Sequence, residues 1–324
     1  MVFTFQFFTY HYIAGMIQKI IPVFFCCILF VTAAAQTKDT AVYIGGKAIL
    51  LSEVVVNSKL DISSFINRVK NDTTFYKAFK NLDILGYTSL NDIRMLNKKG
   101  GTQASLNSKT KQIESNGCRN LQVIKEETTG DFYNKLHEYN YYTAELYASL
   151  FFAKGTICGE NNIVGGKDIS TEGLSGIEKH KKQLEILFFN PGKKINGIPF
   201  ISNKTAIFDD GMIDKYDMSI DIADRDTTSC YLFSIKVKPA YINEVVIDEM
   251  TTWFDIRTFD VMARNYTLSY DAGVYDFNVE MQVELTHFGS YLIPSLLRYN
   301  GNWKVVFKPR EHGVFTATLF DFNK

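Results

Sequence analysis

The most regular stretch of the chain runs from Tyr275 to Leu285, where Tyr275, Phe277, Val279, Met281, Val283 and Leu285 alternate with Asp276, Asn278, Glu280, Gln282 and Glu284. Successive strand residues point to opposite faces, so this run predicts a strand with one apolar and one wet face. A buried parallel strand would be apolar on both faces, and an antiparallel sheet is therefore expected. Tyr266, Leu268 and Tyr270 alternate before an Asp271-Ala272-Gly273 turn, and Tyr231, Phe233, Ile235 and Val237 make a further run. Asn300-Gly301 has the composition of a two-residue hairpin turn and would start a new strand through Trp303, Val305 and Phe307. With a last strand from Val314 to Phe322, the region after Cys230 reads as a meander in which each strand pairs with the next.

Earlier in the chain, residues 84 to 96 and 102 to 113 read as two strands around the turn Asn97 to Gly101, with a third from Arg119 to Thr128. Val42 to Val56 is extended around Gly45-Gly46. A helix capped by Asp61 or Ser63 follows, with Ile62, Phe65, Ile66 and Val69 at helical spacing, and its stripe continues through Phe75, Tyr76 and Phe79 beyond an interruption at Asp72-Thr73-Thr74. Two more helices are predicted, Thr143 to Phe152 and Ser175 to Phe189. The second has Ser175 and Glu178 at capping-box spacing and Asn190-Pro191-Gly192 as a stop. Between them the glycine-rich Gly155 to Gly173 reads as a surface loop, and Lys193 to Asp226 as turns with a strand at Tyr216 to Ile222. The expected fold class is α+β: a strongly curved antiparallel β-sheet, a half-barrel of about ten strands, with helices on its concave face. Residues 57–324 form its single domain and 36–56 an extended segment before it.

The N-terminus changes the picture of where the protein works. Met16 to Lys19 makes a short basic start, Ile20 to Val31 is apolar, and Ala33-Ala34-Ala35 precedes Gln36. This is the pattern of a secretory signal over residues 16–35, with 1–15 a superfluous extension and the periplasm or outer envelope as destination. The apolar run is shorter than the ~20 residues of a membrane-spanning helix, so no transmembrane helix is expected in the mature chain of roughly 290 residues. Cleavage leaves Cys118, Cys158 and Cys230. Either one bridge forms, with three pairings open, or all three remain buried thiols.

Composition narrows the chemistry. Lys and Arg together number 35, as do Asp and Glu, so no global field draws in nucleic acid or an anionic surface. The 26 Phe and 18 Tyr suit sheet faces built from large rings. His137, His180, His287 and His312 lack metal-ligand spacing, and Gly173-Leu174-Ser175-Gly176 lacks the spacing of a nucleophile elbow. The aspartates from Asp209 to Asp226 do not follow a calcium-loop pattern and are interspersed with Lys215 and Arg225, as on a polar strand face. Glu280 and Glu284 occupy the wet face of their strand. The lysines Lys179, Lys181, Lys182, Lys193 and Lys194 form one basic patch, suited to a solvated helix face or to a lipid or protein partner. No cofactor and no metal is implied.

What remains is burial of an apolar ligand between sheet and helices, without catalysis. The residues expected to line that site are Phe65, Phe75, Phe79, Phe188, Phe277, Met281 and Trp303. The alternatives are an envelope scaffold with a filled core, partnered by another envelope protein, and a hydrolase whose residues converge only in three dimensions. The stretches Val245 to Asp255, Arg264 to Tyr270, Tyr275-Asp276-Phe277, Phe75 to Phe79 and Phe188 to Gly192 resemble an uncharacterised family of secreted Bacteroidota envelope proteins. More distantly, the order of helix, strands, helical insert and strands is similar to the lipoprotein-carrier fold of LolA and its relatives. That resemblance implies a half-barrel that holds acyl chains under a helical lid.

Overall fold

The computed structural model describes residues 40–44, 47–51, 61–165, 173, 176–195, 201, 203–271, 275–305 and 308–324. The chain divides into Met1–Lys38, which lies outside the described residues, and Asp39–Lys324. The 16–35 leader, the 1–15 extension, the Gly45-Gly46 turn, Ser175 and Phe307 also lie outside them.

Strands β3 (Gly86–Leu96), β4 (Thr102–Ser115), β5 (Cys118–Thr129), β6 (Thr156–Cys158), β7 (Tyr216–Arg225), β8 (Thr228–Val237), β9 (Ile247–Asp255), β10 (Val261–Asp271), β11 (Tyr275–Phe288), β12 (Tyr291–Val305) and β13 (Glu311–Asn323) form one open, curved antiparallel sheet. Strands β7 to β13 follow one another as a meander, and β13 then pairs with β3, which carries β4, β5 and β6 to the far edge. An N-terminal hairpin, β1 (Thr40–Ile44) and β2 (Lys47–Leu51), meets β7 through one parallel pair, Leu51 with Met218.

Register explains the core. Phe277 faces Trp303 across β11 and β12, Met281 faces Tyr299, and Val283 faces Leu297. Tyr299 in turn faces Phe315, which faces Ile93, which faces Leu106. All of these side chains are buried, so the inner face is a continuous apolar layer from β7 to β13. Beyond β13 the layer changes character. Past Ile93 and Leu106, the inward positions of β3 and β4 are Ser89, Asn91, Ser108, Thr110 and Gln112, buried but polar and mostly short.

Helices cover the concave face. Helix α1 (Ile62–Asn71) starts at Asp61, whose carboxylate accepts the Ser64 backbone N–H at 3.1 Å. Helix α2 (Thr74–Asn81) is separate, so the helix expected from Ile62 to Phe79 is two helices, parted at the interruption expected at Asp72-Thr73-Thr74. The reason is Asp72, whose Oδ1 accepts the N–H and the hydroxyl of Thr74 at 3.1 and 2.7 Å and so opens a new helix where the first ends. Asp72 also lies 3.9 Å from the buried Arg264 guanidinium, which sits 4.3 Å over the Phe75 ring and donates to Thr252 at 2.9 Å. Helix α3 (Tyr142–Phe151) has its first N–H groups, of Tyr142 and Thr143, bound by the Glu311 carboxylate of β13 at 3.1 and 2.7 Å. An anion at a helix N-terminus satisfies orphan donors and the dipole together. Helix α4 (Gly176–Phe189) ends at Asn190, before Pro191-Gly192 as expected, with Ile186 to Phe189 all buried.

Two further expectations need correction. Asn300-Gly301 is not a turn: both lie inside β12, where Gly301 pairs with Val279 and Gly313, and the β11–β12 turn is at Gly289, with φ 58°. The segment Gly155 to Gly173 is not all loop, because Thr156–Cys158 pairs with Cys118 to Asn120. Finally, the open question of the cysteines resolves to a bridge between Cys118 and Cys158, with Cys230 a free, buried thiol. Strand β9 was not foreseen at all.

Candidate functional site

The seven residues expected to line a ligand site are all buried, and they fill the middle of the concave face by packing on one another and on neighbouring rings. Phe65 meets Phe233, Phe254 and Phe259 with centroids 5.0 to 5.9 Å apart. Phe75 meets Phe79 edge-on at 5.5 Å, and Phe277 stacks on Trp303 at 4.8 Å with Phe188 standing against it at 6.3 Å. Met281 and Phe188 border a gap of about 10 Å3 together with Tyr147, Phe151, Phe189 and Tyr299. A single water needs that much room. The structure thus brings Phe188, Phe277, Met281 and Trp303 together, places Phe65 at the β8–β9 end, and leaves Phe75 and Phe79 between α2 and the sheet.

Open space lies instead at the β3–β5 end, where the inward side chains are short and polar. Two compartments flank the C-terminal end of α3 and share Glu145, Phe152, Ala153 and Lys154 as lining. The inner one has a volume of about 400 Å3. Its apolar surface comes from Phe79, Leu82, Leu150, Phe151, Ile157 and Phe189. Phe79, stacked on Phe189 at 4.1 Å, is therefore the member of the expected set that borders a sizeable space.

The rim of this compartment is a closed set of charges. Arg119 of β5 binds both oxygens of Glu160 at 2.5 and 3.1 Å and reaches Asp83 at 3.1 Å, and Lys80 pairs with the same Asp83. Gln112 accepts from Arg119 at 3.0 Å and donates to the Leu82 and Leu85 carbonyls at 2.6 and 2.7 Å, which ties the end of α2 to β4. Burial pushes the Asp83 carboxyl up, against the pull of Lys80 and Arg119. Burial likewise pushes the Tyr87 hydroxyl, on the compartment wall, up to about 12. Lys80 and Arg119 thus neutralise Asp83 and Glu160 beside an aromatic floor, while Glu145, Lys154 and Glu185, the last paired with Lys182, line the rest of the space. The Cys118–Cys158 bridge, one residue from Arg119 and from Ile157, holds this wall in place.

The outer compartment, about 650 Å3, lies between the inward face of β4 and β5 and the turn carrying Tyr133 to Tyr139. Ser108, Thr110, Leu121 and Val123 form its floor. Glu126 of β5 joins the floor, and the opposite side carries Tyr133, His137, Tyr139 and Glu138, with the Tyr133 hydroxyl donating to Glu126 at 3.4 Å. None of these was singled out as a binding residue from the sequence. In β4 the signal was absent because Ser108, Thr110 and Gln112 alternate with Asn107, Lys109 and Lys111, polar on both faces.

Of the other sequence candidates, His312 bonds Asn300 at 2.7 Å and His287 lies 3.3 Å from Asp260. Glu284 pairs with Arg225 at 2.9 Å, and Lys182 with Glu185 at 3.0 Å. Lys193 reaches the Lys70 carbonyl at the end of α1. The basic patch is accordingly split, with Lys182 and Lys193 turned into the protein. Among the described residues, no helix is long and apolar enough to cross a membrane.

No family model matches the sequence, and no curated protein matches it. Two solved structures align with it. One is described as an outer membrane lipoprotein-sorting protein domain from Vibrio parahaemolyticus, 8% identical, covering 75% of this chain and 88% of that one with a TM-score of 0.26. The other is a DUF1329 family protein from Desulfovibrio piger, 12% identical, covering 78% and 93% with a TM-score of 0.23. At these values neither likeness carries an argument.

Proposed function

We propose that the protein is a non-catalytic binder of an amphiphile, whose apolar chain occupies the inner compartment between the end of α3 and strands β3 to β5. One observation carries this reading: a space of about 400 Å3 joins an aromatic floor to a rim on which Lys80, Arg119, Asp83 and Glu160 are paired with one another. Small-molecule sites run ~300–1,000 Å3, are lined mainly by apolar side chains and hold a few fixed polar groups. The filled middle of the concave face then serves as support for that site, with Phe79 and Phe189 connecting the two.

The Cys118–Cys158 bridge supports an oxidising compartment, and with the leader at 16–35 this favours the periplasm or outer envelope. A second reading, an envelope scaffold, draws on the gap of only about 10 Å3 at the centre of the concave face. Mass spectrometry of an organic extract separates the two. Protein purified without detergent is expected to release a chain-bearing amphiphile in near-stoichiometric amount. A clean extract, together with no uptake of added dodecyl maltoside, would favour the scaffold.

A further inference from the structure

Resting on that reading, we infer that the outer compartment is a headgroup site that selects an ammonium-bearing ligand over an anionic one. The two compartments share the lining residues Phe152 and Lys154, so a chain in the inner one places its head in the outer one. On β4 the outer floor is polar but uncharged: Ser108 and Thr110, 7% and 3% exposed, are held by the Asn91 amide, which donates to their hydroxyl oxygens at 3.2 and 3.3 Å.

The opposite wall is built to hold a cation. Tyr133 and Tyr139 have centroids 5.1 Å apart, and His137 lies 4.1 Å from the Tyr133 ring. Glu126, Glu138 and Glu145 line the same space, with Lys154 and the His137 imidazole, 3.9 Å from Glu126, as its basic groups. Glu145 makes no ion pair among the described residues. Burial first, then the neighbouring Tyr139 and the Glu126 carboxylate, push the Tyr133 hydroxyl up, and burial pushes that of Tyr139 up against its hydrogen bond with Tyr133. Aromatic faces beside carboxylates attract ammonium groups, and an anionic head would meet like charge. Around the inner compartment Lys80 and Arg119 are paired with Asp83 and Glu160 and do not alter this sign.

Calorimetric titration of the full mature chain with three ligands of equal chain length, below their micelle thresholds, tests the inference: dodecyltrimethylammonium, dodecyl maltoside and dodecyl phosphate. Tetramethylammonium, which has no chain, is the fourth arm. Wild type should bind the ammonium amphiphile about tenfold more tightly than the maltoside, and the phosphate least. In Glu126→Gln with Glu138→Gln, checked for an unchanged melting curve, the ammonium-to-maltoside ratio should fall to roughly one. Equal affinities in wild type, a tighter phosphate, or a preference that survives in the double variant would overturn the headgroup assignment while leaving the amphiphile reading intact. Binding of tetramethylammonium alone, lost in the double variant, would keep the ammonium site and remove the amphiphile reading. No binding of any of the four overturns both.

Discussion

Replacing Gly301 by valine should remove about 4 kcal/mol of folding stability, the sum of overpacking a buried site and losing a buried hydrogen bond. The Tyr299 ring folds back over Gly301, and a Cβ there would lie 1.8 Å from the tyrosine oxygen and 2.2 Å from Cζ. The ring has no free direction of retreat. Tyr147 stands against it at 4.4 Å and Phe188 at 6.0 Å, while Trp303 donates to its hydroxyl at 2.5 Å. Across the ladder, Gly313 faces Gly301 and itself lies 3.0 Å, measured from its ideal Cβ, from Thr143 of α3. Two facing glycines therefore form the recess that lets α3 and Tyr299 approach the sheet. Urea titration reads the loss as a lower midpoint. The half-exposed Asn302→Ala serves as control and should shift stability by less than about 0.5 kcal/mol. A wild-type midpoint for Gly301→Val would contradict the packing described.

Removing the disulfide, as Cys118→Ser with Cys158→Ser, should also cost about 4 kcal/mol, the chain-entropy value for a closed loop of this length. The two cysteines are 40 positions apart and enclose α3. The bridge has a second consequence, for the site. It holds the three-residue β6 against the edge of β5, and with it Ile157 and Glu160 of the inner compartment. Reductant should therefore lower the melting temperature and weaken ligand uptake in parallel. If thiol titration shows the bridge open while both quantities stay unchanged, the structural role assigned to it is wrong.

The sheet was legible where one face is apolar and the other wet. Phe277, Val279, Met281 and Val283 announce β11 because their neighbours are Asn278, Glu280 and Gln282, and a period of two has no other explanation. Strand β9 stayed hidden because Asp248-Glu249 and Thr251-Thr252 put two polar residues side by side, so neither face stands out until its partners are known. Asn300-Gly301 misled for a different reason. A glycine that opens room for a ring is chemically the same letter as a glycine that turns the chain. The cysteine pairing depends on β6 reaching β5, a contact no local spacing records.

The site was less legible than the fold. Choosing large apolar side chains finds those that fill space, and Phe188, Phe277, Met281 and Trp303 do fill it. A compartment arises where inward side chains are too short to meet the helices, as at Ser108 and Thr110. Those positions sit in an all-polar alternation whose inner face only β3 and β5 can assign.

Titration of dodecyl maltoside, below its micelle threshold, into wild type and Ile157→Arg tests the central claim most directly. Ile157 is half-buried on the rim strand and lines the inner compartment, so an arginine there charges the compartment without entering the core. One chain should bind per folded wild-type molecule, and the variant should bind at least about tenfold more weakly, the cost of setting a charge in an apolar site. Equal affinity in the two proteins, or no binding by folded, disulfide-bonded wild type, would contradict it.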